Sequence, residues 1–377
     1  MSSSCIQEIS YGEFCGNLHK KAINKRIPLL GSLEITWRCN LKCKHCYCPE
    51  DPHPEELSTE EIYRIIDEAR EEGCFWLCFT GGEPLIREDF KDLYLYAKRK
   101  GLLIFLFTNG ILLDEEMADF LAEWRPFSVE IPLYGITKNT YEKVTGGVSD
   151  SFERSLKAVE LSKDRNLPLK LKTLVTKDNM SEVLEIKGYA EGLGFEFRHD
   201  CLINPRLDGS KEPCQLRVSP REVVALDIAD ERRLPSYKEL CEKYWGPPNS
   251  DRVFTCGAGL NTFRIDPFGN LHLCIITRIP YYNLRNGTFK KGWQKTFSEI
   301  RSLKVKGDYK CQSCELFTFC DQCPGWSYLE GGNFETPSEY LCEVTHLRIE
   351  ELEKRYKLGK WLIKEVKRDE EEKVFQT

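Results

Sequence analysis

The chain reads as an α/β protein: a partial (β/α)6 barrel followed by a small, irregular, cysteine-rich domain. Three observations carry this reading. Between residues 31 and 200, six short apolar runs alternate with longer helical patterns, the signature of repeated βα units on a parallel sheet. The alternation lapses near residue 200, short of the ~250 residues that a closed eight-unit barrel takes. Beyond residue 256, Cys, Gly and Pro displace regular periodicity, as expected where metal clusters substitute for an apolar core.

The elements follow in order. Residues 1–30 form an N-terminal segment whose helix, at 10–24, opens on a Ser10/Glu13 capping box and sets Tyr11, Phe14 and Leu18 on one face. Strands are predicted at 33–37, 75–80, 102–108, 129–133, 169–175 and 195–198. Ser58 with Glu61 opens the helix after the first strand, Asp114 opens a later one, and Gly101 marks where the second barrel helix stops. Residues 201–255 hold Pro205, Pro213, Pro220, Pro235 and the Pro247, Pro248 pair, with one helical piece at 221–230, and read as a connecting region. Residues 256–345 form the second domain. In the last segment, 346–377, a helix is expected over 347–373, its mixed-sign charges forming a solvated face.

Composition narrows the function. A chain of 377 residues with 41% hydrophobic and 30% charged side chains is globular, not disordered. Its net charge of -6 argues against a nucleic-acid binder, which needs a basic face. The apolar run at 102–107 is far short of the ~20 residues that span a bilayer. Nothing at the N-terminus resembles an export signal, so a cytoplasmic location with no membrane partner is expected. In such a reducing compartment 18 cysteines do not make a disulfide framework, and metal binding is the better reading. Cys74 and Cys78, inside an apolar run, read as small core residues.

The chemistry gathers at the ends of the first three strands. Cys39, Cys43 and Cys46 follow strand one, separated by three and then two residues. Three thiolates hold three irons of a 4Fe-4S cluster and leave the fourth open, whereas a simple electron carrier uses four. Loops at the C-terminal ends of parallel strands are also where ligands bind. A zinc site completed by His45 is the plainer alternative, but His45 is awkwardly placed to share a metal with adjacent Cys46. Cys48 lies one residue beyond Cys46 in sequence spacing, too close for ferredoxin ligation, and reads as a bystander. Strand two ends in Thr80, Gly81, Gly82, Glu83 and Pro84. Its glycines admit a close ligand, and Glu83 offers a carboxylate to an ammonium group. Strand three ends in Thr108, Asn109 and Gly110, further donors and acceptors at the same mouth. His199 reads as structural, and His272 and His346 carry no assigned role.

The three-cysteine run followed by Gly-Gly-Glu-Pro resembles the radical S-adenosylmethionine enzymes. The resemblance implies that Cys39, Cys43 and Cys46 hold the catalytic cluster, whose open iron is chelated by S-adenosylmethionine. It further implies that Gly81, Gly82 and Glu83 meet the methionine amine and that Tyr47 lies near the adenine. One position departs: related enzymes carry a serine in strand four, where this chain has Pro132, so the backbone or Lys172 on strand five is expected to substitute.

Cys256, Gly269 with four residues to Cys274, Cys311-x2-Cys314-x5-Cys320-x2-Cys323 and Cys342 resemble the SPASM extension of that family, so the likeness runs over residues 31–345. The usual spacing before the sixth cysteine is three residues, where this chain has two. The resemblance implies two auxiliary 4Fe-4S clusters, one on Cys311, Cys314, Cys320 and Cys342, the other on Cys256, Cys274 and Cys323. The second has three thiolates: its fourth iron is open, binds substrate, or takes Cys241 or Cys214. Two zinc sites are the alternative. Gly257 and Gly259 bring backbone N–H groups toward cluster sulfur.

Such enzymes cleave S-adenosylmethionine reductively, and the 5'-deoxyadenosyl radical abstracts hydrogen from an unactivated carbon. SPASM enzymes act mostly on ribosomally made peptides or proteins, so an oxidative peptide modification or crosslink is the first expectation. A tetrapyrrole or other small metabolite is the enzymatic rival, and an iron-sulfur electron carrier or scaffold is the non-enzymatic one. The partners implied are a peptide or protein substrate and an external electron donor such as flavodoxin or ferredoxin; about 30 residues precede strand one, too few for a recognition domain, so a leader peptide is held either by a separate peptide-recognition protein or by the SPASM domain.

Overall fold

The computed structural model describes residues 10–49, 55–243 and 245–357. Six strands stand near their predicted places: β1 (Leu30–Thr36), β2 (Trp76–Gly81), β3 (Leu103–Phe107), β4 (Ser128–Pro132), β5 (Leu169–Leu174) and β6 (Glu196–Asp200). Each pairs in parallel with the next, and the sheet ends at β6 without closing. This is the partial barrel.

Alternation along the strands explains the curvature and the burial. Leu33, Phe79, Leu106, Val129 and Leu169 are register partners in one row. They face the helices and share a core with Ile62, Ile65, Phe90, Leu93 and Leu121. Each such side chain contributes ~1.5–3 kcal/mol on burial. The other face carries Glu34, Cys78, Phe107, Glu130, Lys172 and Arg198, in a register that pairs Phe107 with Glu130 and Lys172 with Arg198. The inner face is therefore charged and the outer face is apolar.

The helices obey their caps. In α1 (Tyr11–Lys25) the Glu13 N–H donates to Ser10 Oγ at 3.1 Å, but Phe14 is exposed, and Leu18 and Ala22 pack toward Leu29 and Trp76. Both halves of the Ser58/Glu61 box form ahead of α2 (Thr59–Glu71). Gly101, at φ +85°, follows α3 (Phe90–Arg99), and Asp114 caps α4 (Glu115–Glu123). Next come α5 (Lys138–Thr145), α6 (Ser151–Asp164) and α7 (Val183–Gly192). The connecting region holds two helices instead of one, α8 (Pro220–Ala229) and α9 (Arg233–Lys243). Val223 and Leu226 of α8 pack on Val175, Val183 and Val344.

The cysteine-rich region departs from expectation. Its β7 (Thr262–Ile265) joins the barrel sheet parallel to β1, and β8 (Asn270–His272) and β9 (Tyr282–Asn283) continue it antiparallel. Short α10 (Phe289–Lys291) and α11 (Phe297–Arg301) flank a π turn at Gly292–Thr296. Phe254, Phe263, Leu271, Phe289, Trp293, Phe297 and Ile300 share one core with Leu33 and Phe79. So the first part of this region is built on an aromatic extension of the barrel core. The chain ends in α12 (Pro324–Gly331) and α13 (Glu339–Tyr356), which starts ahead of the predicted 347 and carries Cys342 in its first turn. The remainder of the predicted C-terminal helix, 358–373, lies outside the described residues. Among those described, no helix is long and apolar enough to cross a membrane.

Candidate active site

The Cys39–Cys46 loop leaves β1 and is fixed by main chain from its neighbours. Gly82 N–H donates to Thr36 O at 2.8 Å and Glu83 N–H to Arg38 O at 2.9 Å, while Lys42 N–H reaches Thr145 O at 3.1 Å. The glycines are required by this approach. A Cβ on Gly81, which has φ +135°, would lie 2.1 Å from Thr36 O, and one on Gly82 would lie 2.4 Å from Arg38 O. Their first task is thus to admit the cysteine loop, a role the sequence pattern assigned to a ligand.

Glu83 is fully buried and spends its carboxylate inside the chain. It accepts from Leu85 N–H at 3.0 Å, Thr108 Oγ1 at 2.7 Å and Asn109 N–H at 2.7 Å. Burial pushes it up to about 7 against the pull of those donors. In this structure the Glu83 carboxylate ties the β2 and β3 loops together. Asn109 extends the tie, its amide donating to Asn40 Oδ1 at 2.7 Å and lying 3.8 Å from Cys39 Sγ.

The three thiols meet as a set. Burial, then the charges of Glu83 and Cys46, lift Cys39 to about 11 against a backbone bond from Leu41. Burial, with Cys46 and Cys39, holds Cys43 well above the usual range. The Cys48 thiol donates to Cys46 and brings it down to about 7, so Cys48 is a neighbour of the set with a definite task. Thiols crowded so that their charges repel are a donor set that a cationic iron-sulfur core fits. Among the described residues no three His, Cys, Asp or Glu converge on a single ion, and a cubane takes each thiolate on a different iron. His45 packs its ring 4.6 Å from that of Tyr134.

Sequence reasoning missed the charged network beneath this loop. Glu34 of β1 is fully buried; its Oε1 accepts from Arg264 Nε at 2.6 Å and Arg278 Nη2 at 2.7 Å, and its Oε2 from Trp37 Nε1 at 2.8 Å. Although burial acts to raise it, the two guanidinium groups hold Glu34 far below the ordinary carboxylate range. Tyr47 turns its hydroxyl into the same network, 3.1 Å from Arg264 Nη2. Farther round the inner face Glu130 accepts from Lys172 Nζ at 3.2 Å and Arg198 Nη2 at 2.8 Å, with the Lys172 ammonium 3.6 Å from the centre of the Phe107 ring. Lys172 is thus on the inner face beside Pro132, its charge engaged by Glu130. An acidic residue at an inward strand position is the signal that was available in the sequence.

The remaining cysteines fall into two neighbourhoods. Cys323 lies within electrostatic reach of Cys274 and Cys256 and, mainly by burial, is lifted to about 12. Cys311 lies in reach of Cys320, Cys314 and Cys342. Thr345 Oγ1 donates to Cys320 Sγ at 3.2 Å, and Thr277 N–H to Cys274 Sγ at 3.4 Å. Of the two alternatives for a fourth ligand, Cys241 packs among Leu234, Phe319 and Leu352, and Cys214 sits beside Arg217 and Glu330. His272 bridges Asp266 and the Arg278 carbonyl, and His199 Nε2 accepts from Arg233 Nη1 at 2.8 Å, both structural placements. His346 is exposed.

Residues 33–190 match the model of the Radical SAM superfamily. Among curated relatives, an AdoMet-dependent heme synthase of Oleidesulfovibrio alaskensis is 28% identical over 334 residues, spanning 82% of this chain and 85% of its own. The mycofactocin maturase MftC of Mycolicibacterium smegmatis is 29% identical over 323 residues, spanning 78% and 77%. Among solved structures, SuiB of Streptococcus suis bound to precursor peptide SuiA superposes with a TM-score of 0.65 at 17% identity, over 91% of this chain and 83% of that one, a likeness of fold.

Proposed function

From the premise that residues 33–190 are a radical SAM domain and the chain a radical SAM enzyme, we propose that it is a maturase that oxidatively modifies or crosslinks a peptide. One observation carries the reading: a three-thiol loop at the mouth of an open barrel is accompanied by two further thiol sets in the region whose β7 continues the barrel sheet. The relative named a maturase supports it over most of the chain.

Cys39, Cys43 and Cys46 would hold the catalytic 4Fe-4S cluster. Backbone at Gly81 and Gly82, with Asn109 and Tyr47, would border S-adenosylmethionine, and Lys172 the far side of the inner face. When bound, these groups supply a 5'-deoxyadenosyl radical that takes hydrogen from the substrate. The chain itself fixes the loop through Thr36 O, Arg38 O and Thr145 O. Through the Glu34 network it also holds Tyr47 and the loop after Cys274 in register with β1. Residues 256–345 would act as a SPASM region with two auxiliary clusters. An external donor such as flavodoxin or ferredoxin supplies the electron, a separate recognition protein presents the peptide, and the reduced thiols suit a cytoplasmic setting.

The test is anaerobic reconstitution with a peptide encoded beside this gene. Mass spectrometry is expected to show a loss of about 2 Da per modification, two hydrogens removed in an oxidative step. The relative named a heme synthase, which spans slightly more of the chain, favours a second reading. Turnover of a tetrapyrrole with the peptide unaltered replaces the first reading with that one.

A further inference from the structure

Arg301, the last residue of α11, is almost fully buried, at 7% exposure. Its guanidinium grips the loop that carries Cys256: Nη1 donates to Cys256 O at 2.7 Å and Ala258 O at 2.6 Å, and Nη2 to Phe254 O at 3.1 Å. Nε is buried with no partner. All of its bonds go to carbonyl oxygens, and among the described residues no carboxylate pairs with it. A buried guanidinium without an anion is costly, and carbonyl dipoles compensate it only in part. Elsewhere in this fold buried arginines are matched: Arg264 and Arg278 to Glu34, Arg348 to Asp227. The anion that Arg301 lacks is one that Cys256 and its neighbours Cys274 and Cys323 would supply as thiolates.

The other thiol set has the opposite surroundings. It numbers four; Glu339 stands one turn before Cys342 on α13, and the buried Arg348, bonded to Asp321 next to Cys320, is matched by Asp227 and Asp321. The reduction potential of an iron-sulfur centre follows its net charge and the charges around it. Three thiolates beside an unmatched buried cation favour the reduced state more than four thiolates beside cations already matched by carboxylates.

We propose that Arg301 is the positioning residue of an iron-sulfur cluster on Cys256, Cys274 and Cys323 and makes it the higher-potential of the two auxiliary centres, the one on which an added electron settles. This rests on the ligand reading given above, and the test separates the two. The full-length enzyme, reconstituted anaerobically, is titrated with dithionite under potentiometric control, and each centre is followed by electron paramagnetic resonance. Cys256→Ser and Cys320→Ser assign the signals, with iron counted in each variant. The signal removed by Cys256→Ser is expected to have the higher midpoint. Arg301→Gln is expected to change its oxidised-to-reduced ratio at fixed potential at least tenfold toward oxidised, about 59 mV for one electron, with the other signals unmoved. Arg301→Lys, which keeps the charge and loses the fork, is expected to keep the order of the two midpoints. An unmoved midpoint in Arg301→Gln at full iron content overturns the proposal, as does loss of the higher signal in Cys320→Ser. Where Gln does not retain iron, Lys decides: a reversed order overturns. If Cys256→Ser keeps all iron and every signal, the ligand reading fails instead.

Discussion

The loop at Cys39 and the loop at Cys256 are held by different means. The first is fixed by backbone, through N–H groups of Gly82, Glu83 and Lys42 on carbonyls of Thr36, Arg38 and Thr145. The second has backbone ties at its two ends, Val253 N–H to Leu303 O at 2.8 Å and Gly259 N–H to Thr262 O at 3.1 Å, but between them its carbonyls are gathered by one side chain, the guanidinium of Arg301. A loop pinned by backbone tolerates changes in most side chains but demands glycine where chains touch. A loop whose middle is gathered by one side chain can be altered there by one substitution while its backbone ends stay tied. Precise placement is thus built into the barrel mouth, and adjustable charge into the region beyond it.

The contrast can be broken most severely at the first loop. Cys39, Cys43 and Cys46 changed together to Ala are expected to abolish 5'-deoxyadenosine formation from S-adenosylmethionine under dithionite and to remove about four of about twelve irons per chain. Retained cleavage would refute the assignment. Gly82→Ala places a methyl against Arg38 O and is expected to lower the same rate ~100-fold, the scale of a 1 Å misplacement. An unchanged rate removes the claim that main chain sets this loop. Glu34→Ala strands two buried guanidinium groups and is expected to cost about 3–5 kcal/mol in denaturant unfolding of the full chain, and a loss below about 1 kcal/mol would show the network to be solvated.

Smaller effects sharpen the comparison. Burial, aided by Arg233, lowers His199 to about 4, so below the unfolded value near 6.5 the unfolded chain binds the proton first. Stability is therefore fully present above about pH 6.5 and declines by up to ~3 kcal/mol as pH falls to about 4. His199→Gln is expected to flatten that slope. Cys48→Ser replaces one weak donor to Cys46 with another and is expected to change cleavage less than ~10-fold.

The barrel strands were legible because each βα unit announces itself by alternation, and Leu33, Phe79, Leu106, Val129 and Leu169 do lie in one buried row. The cysteine motif was legible because ligand spacing is local. What sequence could not show is pairing at a distance. Nothing near residue 262 says that β7 lies beside β1, and short polar strands such as Asn270–His272 carry no period. Nor does a sequence reveal that Gly81 and Gly82 face Thr36 and Arg38, or that Glu83 is consumed by Asn109. Glu34, Arg264 and Arg278 are ordinary surface residue types until the fold buries them together.

The seating of β7 against β1 has a consequence for how the molecule is made. Arg264 follows its partner Glu34 by 230 positions, and chains emerge from the ribosome N-terminus first. Until residue 265 is available, β1 has β2 on one side and an open edge on the other, and Glu34 waits for both of its cations. Contacts this far apart in sequence form late. The charged network beneath the Cys39 loop, begun near the start of the chain, is thus completed only once residues 264–278 have been made.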